Sequence, residues 1–290
     1  MFKIKNILLE KIIKILKLIL KKSIFLIKSV FLLDNLTPFE VNGNMDFLTR
    51  IKFLKKTQLK VPFSLGRSAR GISFNDYLIN DPIYKIIYEA SQYKNVMEII
   101  DSFFVILKNE NNLSAADIVG LKNNERLKQY PAWCYVLPWE NTDINFKLNN
   151  YESIQKVKRE QKALEYNFKN RTVKDNYIYS KEMAESQVLQ SIKLFESIKR
   201  FGLLPQFDLP SFHILVKGNK WKWYMSQGNH RAYILYNLKY KFIGGIVDSV
   251  IIKEKSHLWP NVLNGLYSVK EAEIIFDYLF DAERSIGPCI

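Results

Sequence analysis

The segment from Ser211 to Ile252 constrains the fold more than any other part of the chain. Short runs rich in β-branched and aromatic residues alternate there with glycine-containing turns, a pattern typical of strands. Its Lys-Gly-Asn-Lys sequence predicts a hairpin turn, and a helix follows the second strand of the hairpin. The segment therefore predicts an α+β arrangement with strands at 211–216, 221–225 and 243–252, a turn at 217–220 and a helix at 232–238.

Most of the remaining chain is predicted to be helical. Apolar residues recur at helical spacing, and Gly202 is well placed to end one of the helices. A short aromatic run at 133–137, closed by Pro138, predicts one further strand. The predicted helices cover residues 74–128 with a break at Asn111–Asn112, 151–169, 181–200 and 268–280.

The charge of the chain is concentrated at one end. The 290 residues include 43 Lys+Arg and 29 Asp+Glu, a formal net charge of +14 that is typical of nucleic-acid binding. Residues 1–60, however, hold 13 basic and 4 acidic residues, which is +9 of that total. We therefore expect a basic segment with a local role and not a nucleic-acid-binding groove.

Cysteine and histidine usage excludes two classes of protein. Two cysteines, Cys134 and Cys289, cannot form a disulfide framework or a cysteine zinc cluster, so a cytoplasmic setting is expected. The three histidines lack metal-ligand spacing, so no metal ligands are assigned to side chains. His213 lies within an apolar run and is predicted to be a core histidine.

The basic segment consists of residues 1–33. When they are placed on a helix, seven of their eight lysines fall within an arc of about 140°, opposite isoleucine and leucine. The lysines interrupt the apolar run too often for a membrane span or a secretory signal. The pattern predicts an amphipathic helix on an anionic membrane surface, peripheral on the inner membrane face. A surface helix packed on the protein's own core is the alternative.

The turn after the second hairpin strand carries the clearest chemical signal, Gln227-Gly228-Asn229-His230-Arg231. Glycine allows a tight turn and close approach of a ligand, and the start of a helix favours an anion. Arg231 can bind a phosphate bidentately, and His230 can donate a hydrogen bond or transfer a proton. These five residues predict a phosphate site, with a plain helix cap as the alternative. Arg67 and Arg70 form a second, smaller anion-binding candidate, for which a plain basic loop is the alternative.

Across roughly residues 131–252, the sequence resembles the ParB/sulfiredoxin-like superfamily. The family pattern is a helix ending in a Ser-Ile…Gly…Pro phrase, two strands, a Gly-x-His-Arg turn, a helix and a closing strand. Ser197–Pro205 match the phrase, Gly228–Arg231 match the turn, and residues 242–247 begin the closing strand. The resemblance implies a nucleotide-binding mixed-sheet domain.

Activities differ widely within this superfamily. Sulfiredoxins place a nucleophilic cysteine just before the His-Arg pair, where this chain has Asn229, so we do not expect sulfinic acid reduction. ParB clamps bind CTP and carry DNA-binding helices after this module, whereas only 38 residues follow Ile252 here. Small-molecule kinases of this fold, such as free-serine kinases, use the turn for phosphates and a carboxylate after the first strand as the base.

Resemblance to these kinases implies that Glu140, just after the predicted strand at 133–137, is the general base, with His230 on the transferring phosphate. It also implies ATP or ADP as the nucleotide, with Mg²⁺ held mainly by phosphates and water. The general layout resembles ParB-like proteins of bacterial surface-polysaccharide gene clusters, which implies a small or lipid-linked sugar as acceptor. A loop carboxylate without a catalytic role is the alternative for Glu140.

The sequence thus predicts an α+β, ParB/sulfiredoxin-like mixed-sheet domain preceded by a helical region and an N-terminal amphipathic helix. The predicted function is a nucleotide-binding phosphotransferase of surface-polysaccharide metabolism. A non-catalytic nucleotide-sensing or DNA-binding module, and an interaction scaffold, are the alternatives. The expected units are an amphipathic helix at 1–33, a helical region at 34–129, the ParB/sulfiredoxin-like domain at 130–255 and a helical tail at 256–290.

Overall fold

The computed structural model describes residues 58–110, 113–149, 181–203 and 209–281. The predicted amphipathic helix at 1–33 and the predicted helix at 151–169 lie outside these residues. Within the described ranges, no helix is long and apolar enough to cross a lipid bilayer.

Strands and helices alternate irregularly along the described chain, as expected for an α+β protein. The strands are β1 (Gln58–Pro62), β2 (Gly66–Arg67), β3 (Ser211–Lys217), β4 (Lys220–Gln227) and β5 (Phe242–Ile252). The helices are α1 (Pro82–Ser91), α2 (Val96–Glu110), α3 (Ala115–Ile118), α4 (Glu125–Lys128), α5 (Lys181–Phe201), α6 (Asn229–Asn237), α7 (Pro260–Leu263) and α8 (Val269–Asp281). Short 3₁₀ segments lie at Phe63–Leu65, Asp76–Asn80, Ala132–Cys134 and Lys253–Leu258.

The five strands form one mixed sheet in the order β1-β5-β3-β4-β2. β3 lies at its centre, antiparallel to β4 and parallel to β5. Both edge strands come from residues 58–67, because β1 pairs with β5 and β2 pairs with β4. Between the two edges, the Pro62 carbonyl accepts a 2.7 Å hydrogen bond from Nε1 of Trp223. This segment therefore spans the sheet from one edge to the other.

The predicted hairpin, its turn and the closing strand are confirmed within one or two residues at each end. Two other predictions are wrong. The region predicted to be helical supplies β1 and β2, whose lengths of five and two residues are too short for a clear alternating pattern. The predicted strand at 133–137 is instead a 3₁₀ turn at Ala132–Cys134 followed by irregular chain, and the Cys134 amide bonds to Pro131 rather than to a neighbouring strand.

The two faces of the sheet carry different partners. On the face that we call the α6 face, Phe212, Ile214 and Trp223 pack with apolar residues of α1, α5 and α6. On the opposite face, which we call the α8 face, Leu215 and Tyr224 pack with α8 and with residues between 113 and 149. Both faces of the sheet are therefore covered along part of their length.

Arg67 anchors α8 to the edge of the sheet. Its buried guanidinium donates to the carbonyl oxygens of Leu279 at 2.9 Å and Phe280 at 2.7 Å, near the C-terminal end of α8. It also donates to Ser73 Oγ at 3.1 Å, and burial lowers the pKa of Arg67. A cation at a helix C-terminus is favoured by the helix dipole. Arg67 is therefore a structural residue, and the structure does not support its assignment to an anion site.

Candidate phosphate site and polar strip

The predicted phosphate turn lies where β4 ends and α6 begins. Gly228 caps the helix in the left-handed conformation with φ 87°, and a Cβ at this position would lie 3.0 Å from the Cα of Pro210. Only glycine adopts this backbone without strain. The first intrahelical bond runs from the Ala232 amide to the Gly228 carbonyl at 3.1 Å. The positive end of the helix dipole therefore falls on residues 229–231, three residues earlier than the predicted helix start.

The side chains of this turn are accessible to different degrees. Gln227 is exposed, while Asn229, His230 and Arg231 are partly buried. Within the described part of the chain, Oδ1 of Asn229 is buried and has no hydrogen-bond partner. A buried polar atom without a partner costs about 1–3 kcal/mol, so the turn is held at a local energetic cost.

Two β-bulges lie next to this turn, one on each side of β3. Ser211 pairs with Gln227 and Phe212 with Met225, so Ser226 of β4 is left over. In the same way, Phe212 pairs with Val247 and His213 with Ser249, so Asp248 of β5 is left over. Bulges re-aim side chains and are frequent beside active sites.

The two bulged residues contact each other across β3. The Ser226 hydroxyl donates a hydrogen bond to Oδ2 of Asp248, although strands two apart are about 9–10 Å from each other. Ser211 Oγ lies 2.8 Å from Ser226 Oγ, so the three side chains form a continuous hydrogen-bonded chain. Ser226 and Asp248 are partly exposed.

His213 and Ser249 continue this polar surface along the α8 face. Nδ1 of His213 lies 2.8 Å from Ser249 Oγ, and the imidazole stacks on the ring of Tyr224 with 6.1 Å between centroids. Burial lowers the pKa of His213, which the nearby charge of Asp248 partly opposes. The histidine is hydrogen-bonded, as predicted for a core residue, but it is partly exposed on a polar surface. We call the set Ser211, His213, Ser226, Asp248 and Ser249 the polar strip.

Glu140 lies farther along the α8 face, in a loop that Asn261 holds. Nδ2 of Asn261 donates to the carbonyl oxygens of Leu137, Glu140 and Thr142 at 2.9, 3.0 and 3.3 Å. Asn261 is 1% exposed, and its backbone amide donates a 3.0 Å hydrogen bond to the carbonyl oxygen of Pro138. One buried side chain thus fixes the backbone around Glu140.

The environment of Glu140 disfavours its charge. Burial raises the pKa of Glu140, and the positive charge of Lys147 opposes this shift. The Glu140 charge in turn contributes to the raised pKa of Tyr224, which places the carboxylate near the tyrosine of the His213 stack. A carboxylate with a raised pKa in a partly accessible position is suited to proton transfer.

The structure brings residues 227–231 together where β4 ends, whereas Glu140 lies in the loop that Asn261 holds. Tyr224, whose raised pKa the charge of Glu140 increases further, precedes Gly228 by four residues of β4, about 13 Å of extended strand. The polar strip lies between the two.

Sequence reasoning missed the polar strip, because its residues are scattered over three strands and a one-residue bulge leaves no sequence signal. Among the described residues, no three His, Cys, Asp or Glu side chains are grouped as a metal site. Asp248 does supply a single carboxylate near the turn, which fits Mg²⁺ carried mainly by nucleotide phosphates and water. Comparison of the chain with known protein families, curated proteins and solved structures found no match.

Proposed function

We propose that this protein is a ParB/sulfiredoxin-like, nucleotide-dependent phosphotransferase that phosphorylates a hydroxyl of a small or sugar-like acceptor. One observation carries the proposal: the helix start capped by Gly228 opens directly beside a partly exposed strip of hydroxyl, imidazole and carboxylate groups. A helix N-terminus suits the phosphates of a nucleotide, and a polar strip suits an acceptor rich in hydroxyls.

The turn binds the phosphates in this proposal. Backbone amides at the start of α6 and the guanidinium of Arg231 hold the β- and γ-phosphates of ATP, or the β-phosphate of ADP. His230 donates to the transferring phosphoryl group.

The acceptor lies on the α8 face, between the turn and Glu140. Its hydroxyls contact Ser226, Ser249 and His213, which are partly exposed, and Glu140 removes the proton of the attacking hydroxyl. The raised pKa of Glu140 supports this role, because a base works best when its pKa is near the working pH. The base and the transferring phosphoryl group act on the same hydroxyl oxygen, so this role requires the transferring phosphorus to lie within about 6–7 Å of the Glu140 carboxylate.

Nucleotide binding tests the proposal without knowledge of the acceptor. We expect ATP or ADP, with Mg²⁺, to raise the melting temperature of the full chain, and Arg231→Ala to abolish the increase. Arg200→Ala, the same change at an exposed position of α5, serves as the control and should preserve it. If ATP, ADP and CTP all leave the melting temperature unchanged, the proposed function is wrong.

A nucleotide that binds through Arg231 but is never turned over, in the presence of sugar and polyol acceptors, would favour a nucleotide-sensing module. DNA binding that weakens with salt and survives removal of residues 1–60 would favour a nucleic-acid module instead. Either outcome would replace the phosphotransferase while leaving the phosphate turn in place.

We also propose that residues 1–33 hold the enzyme on an anionic membrane, near lipid-linked acceptors. Their lysine-rich pattern is the support for this proposal. The full chain should sediment with vesicles containing phosphatidylglycerol but not with phosphatidylcholine vesicles. A chain lacking residues 1–33 should remain in the supernatant with both; sedimentation of that shortened chain would assign membrane binding to another part of the protein.

A further inference from the structure

We infer that Asp248 binds the Mg²⁺ ion that accompanies the nucleotide, which makes it a functional residue that the sequence motif does not contain. The inference rests on the proposed function, because the ion is delivered with the phosphates bound at Gly228–Arg231. Two separate features of the described structure support it: the position of the carboxylate and the way in which the sheet presents it.

The first feature is proximity to the phosphate turn. Asp248 accepts a hydrogen bond from Ser226, and Ser226 precedes Gly228 by two residues, about 7 Å of extended strand. The charge of Glu140, by comparison, acts on the pKa of Tyr224, which lies two residues farther from the turn along β4. Among the carboxylates with described contacts to β4, Asp248 is therefore the one joined to the strand nearest the phosphates.

The second feature is the paired bulges. In a regular ladder, Ser226 and Asp248 would each pair with a residue of β3. Here both are the extra residues of bulges, one on either side of Phe212. Two adjacent bulges, one of them in a parallel pair, interrupt the ladder in the centre of the sheet, where bulges are less common than at edges. Their combined effect is to bring a hydroxyl and a carboxylate together on a partly exposed surface.

The chemistry of this pair suits Mg²⁺. The ion prefers oxygen ligands, retains several waters and is commonly held by one or two carboxylates together with substrate phosphates. The described hydrogen bond uses Oδ2 of Asp248, so Oδ1 can bind the ion directly or through water. Ser226 fixes the carboxylate, as second-sphere hydrogen bonds do for metal ligands. A single carboxylate also agrees with the lack of a three-residue cluster among the described side chains.

The affinity of the full chain for ATP, ADP and CTP, measured by calorimetry with Mg²⁺ and again with EDTA, tests the inference. The wild-type protein should bind its nucleotide roughly tenfold or more tightly with Mg²⁺. Asp248→Asn, which keeps the acceptor for Ser226, should lose most of this enhancement while binding in EDTA stays equal or becomes tighter. Glu196→Gln, an exposed charge removal on α5, should behave as the wild type.

Mn²⁺ provides a readout that does not depend on affinity for the nucleotide alone. The electron paramagnetic resonance signal of free Mn²⁺ should decrease when nucleotide and wild-type protein are both present, and less so with Asp248→Asn. Asp248→Glu should restore part of the Mg²⁺ enhancement and shows whether the position tolerates substitution.

The outcomes separate the inference from the function on which it rests. If none of the three nucleotides binds in either buffer, the proposed function fails. If a nucleotide binds through Arg231 but Asp248→Asn keeps the full Mg²⁺ enhancement, the metal role of Asp248 is overturned while the phosphate turn stands. The metal role is likewise overturned if wild-type binding is indifferent to Mg²⁺, or if Asp248→Asn loses turnover and keeps the enhancement.

Discussion

The hydroxyl of Tyr233 donates a 2.7 Å hydrogen bond to Oδ2 of Asp81, and both residues are buried. The other carboxylate oxygen of Asp81 accepts from the amides of Ile83 and Tyr84, which caps α1. Tyr233 belongs to α6, the helix that begins at the phosphate turn. One buried carboxylate therefore fixes the start of α1 and the position of α6 at the same time.

Tyr233→Phe should lower the free energy of unfolding by about 1–3 kcal/mol, because Oδ2 of Asp81 would lose its donor while remaining buried. Urea denaturation followed by tryptophan fluorescence measures the change. Tyr240→Phe removes the same hydroxyl at a half-exposed position beyond α6 and should change the stability by less than about 0.5 kcal/mol. Equal stability of both variants would contradict the role assigned to the Asp81–Tyr233 bond.

Asn261→Asp should destabilise the protein strongly, although asparagine and aspartate have nearly the same shape. The side-chain amide now donates to three carbonyl oxygens, and a carboxylate oxygen in its place would face them without a proton. We expect a loss of about 3 kcal/mol or more at neutral pH, smaller below about pH 5, where the new carboxyl can be protonated and donate.

Thermal unfolding at several pH values tests the Asn261 prediction. Asn219→Asp, in the exposed turn of the β3–β4 hairpin, introduces the same charge and controls for it. If Asn261→Asp lowers the stability no more than Asn219→Asp, the hydrogen bonds of the Asn261 side chain contribute little to stability.

Glu140→Gln should stabilise the protein at neutral pH, because burial raises the pKa of Glu140 in the folded state. Below about pH 4.3 the carboxyl is protonated in both states and costs nothing. As the pH rises, the unfolded state loses its proton first, so the wild type loses stability until the folded-state pKa is passed. Glutamine does not titrate, so its advantage should grow over this range by about 1.4 kcal/mol per unit of pKa displacement.

Chemical denaturation between about pH 4 and 8 measures the predicted divergence of the Glu140→Gln variant from the wild type. Glu196→Gln, at an exposed position on α5, should remain parallel to the wild type throughout. Parallel curves for Glu140→Gln would mean that the carboxylate is not buried in solution.

Gly66→Ala should destabilise the sheet although its backbone angles suit any residue. A Cβ at Gly66 would lie 2.3 Å from Cζ2 of Trp223 and 2.8 Å from Cδ2 of Phe74, and the Trp223 ring is fully buried. Overpacking of this kind costs about 1–3 kcal/mol or more. Ser64→Ala, two residues earlier and exposed, is the matched control in the same denaturation experiment. Similar stability for both variants would mean that the tryptophan can move aside.

Local patterns predicted the elements whose signal is contained in a few adjacent residues. The Gly218–Asn219 turn, the alternation in β3 and β4 and the glycine before α6 each show in the sequence because their causes are local. The candidate phosphate turn was predicted for the same reason.

The features that depend on distant partners could not be predicted in this way. β1 and β2 are short and become strands only because β5 and β4 offer them edges, while residues 133–137 have a strand-like composition but no strand beside them. The polar strip depends on two bulges. The loop that carries Glu140 is held by the side chain of Asn261, which lies far along the chain. Tertiary context decides each of these.

The crossing of residues 58–67 from one edge of the sheet to the other has a consequence for how the protein is made. The two edge strands are synthesised well before the strands that they complete, because Gln58 pairs with Ile246 and Gly66 pairs with Trp223. Closing the sheet is therefore a late event of folding that must await the synthesis of β4 and β5. Until then the segment 58–67 lacks the strands with which it pairs, and nascent chains held close together on a polysome are exposed to pairing with one another through this segment.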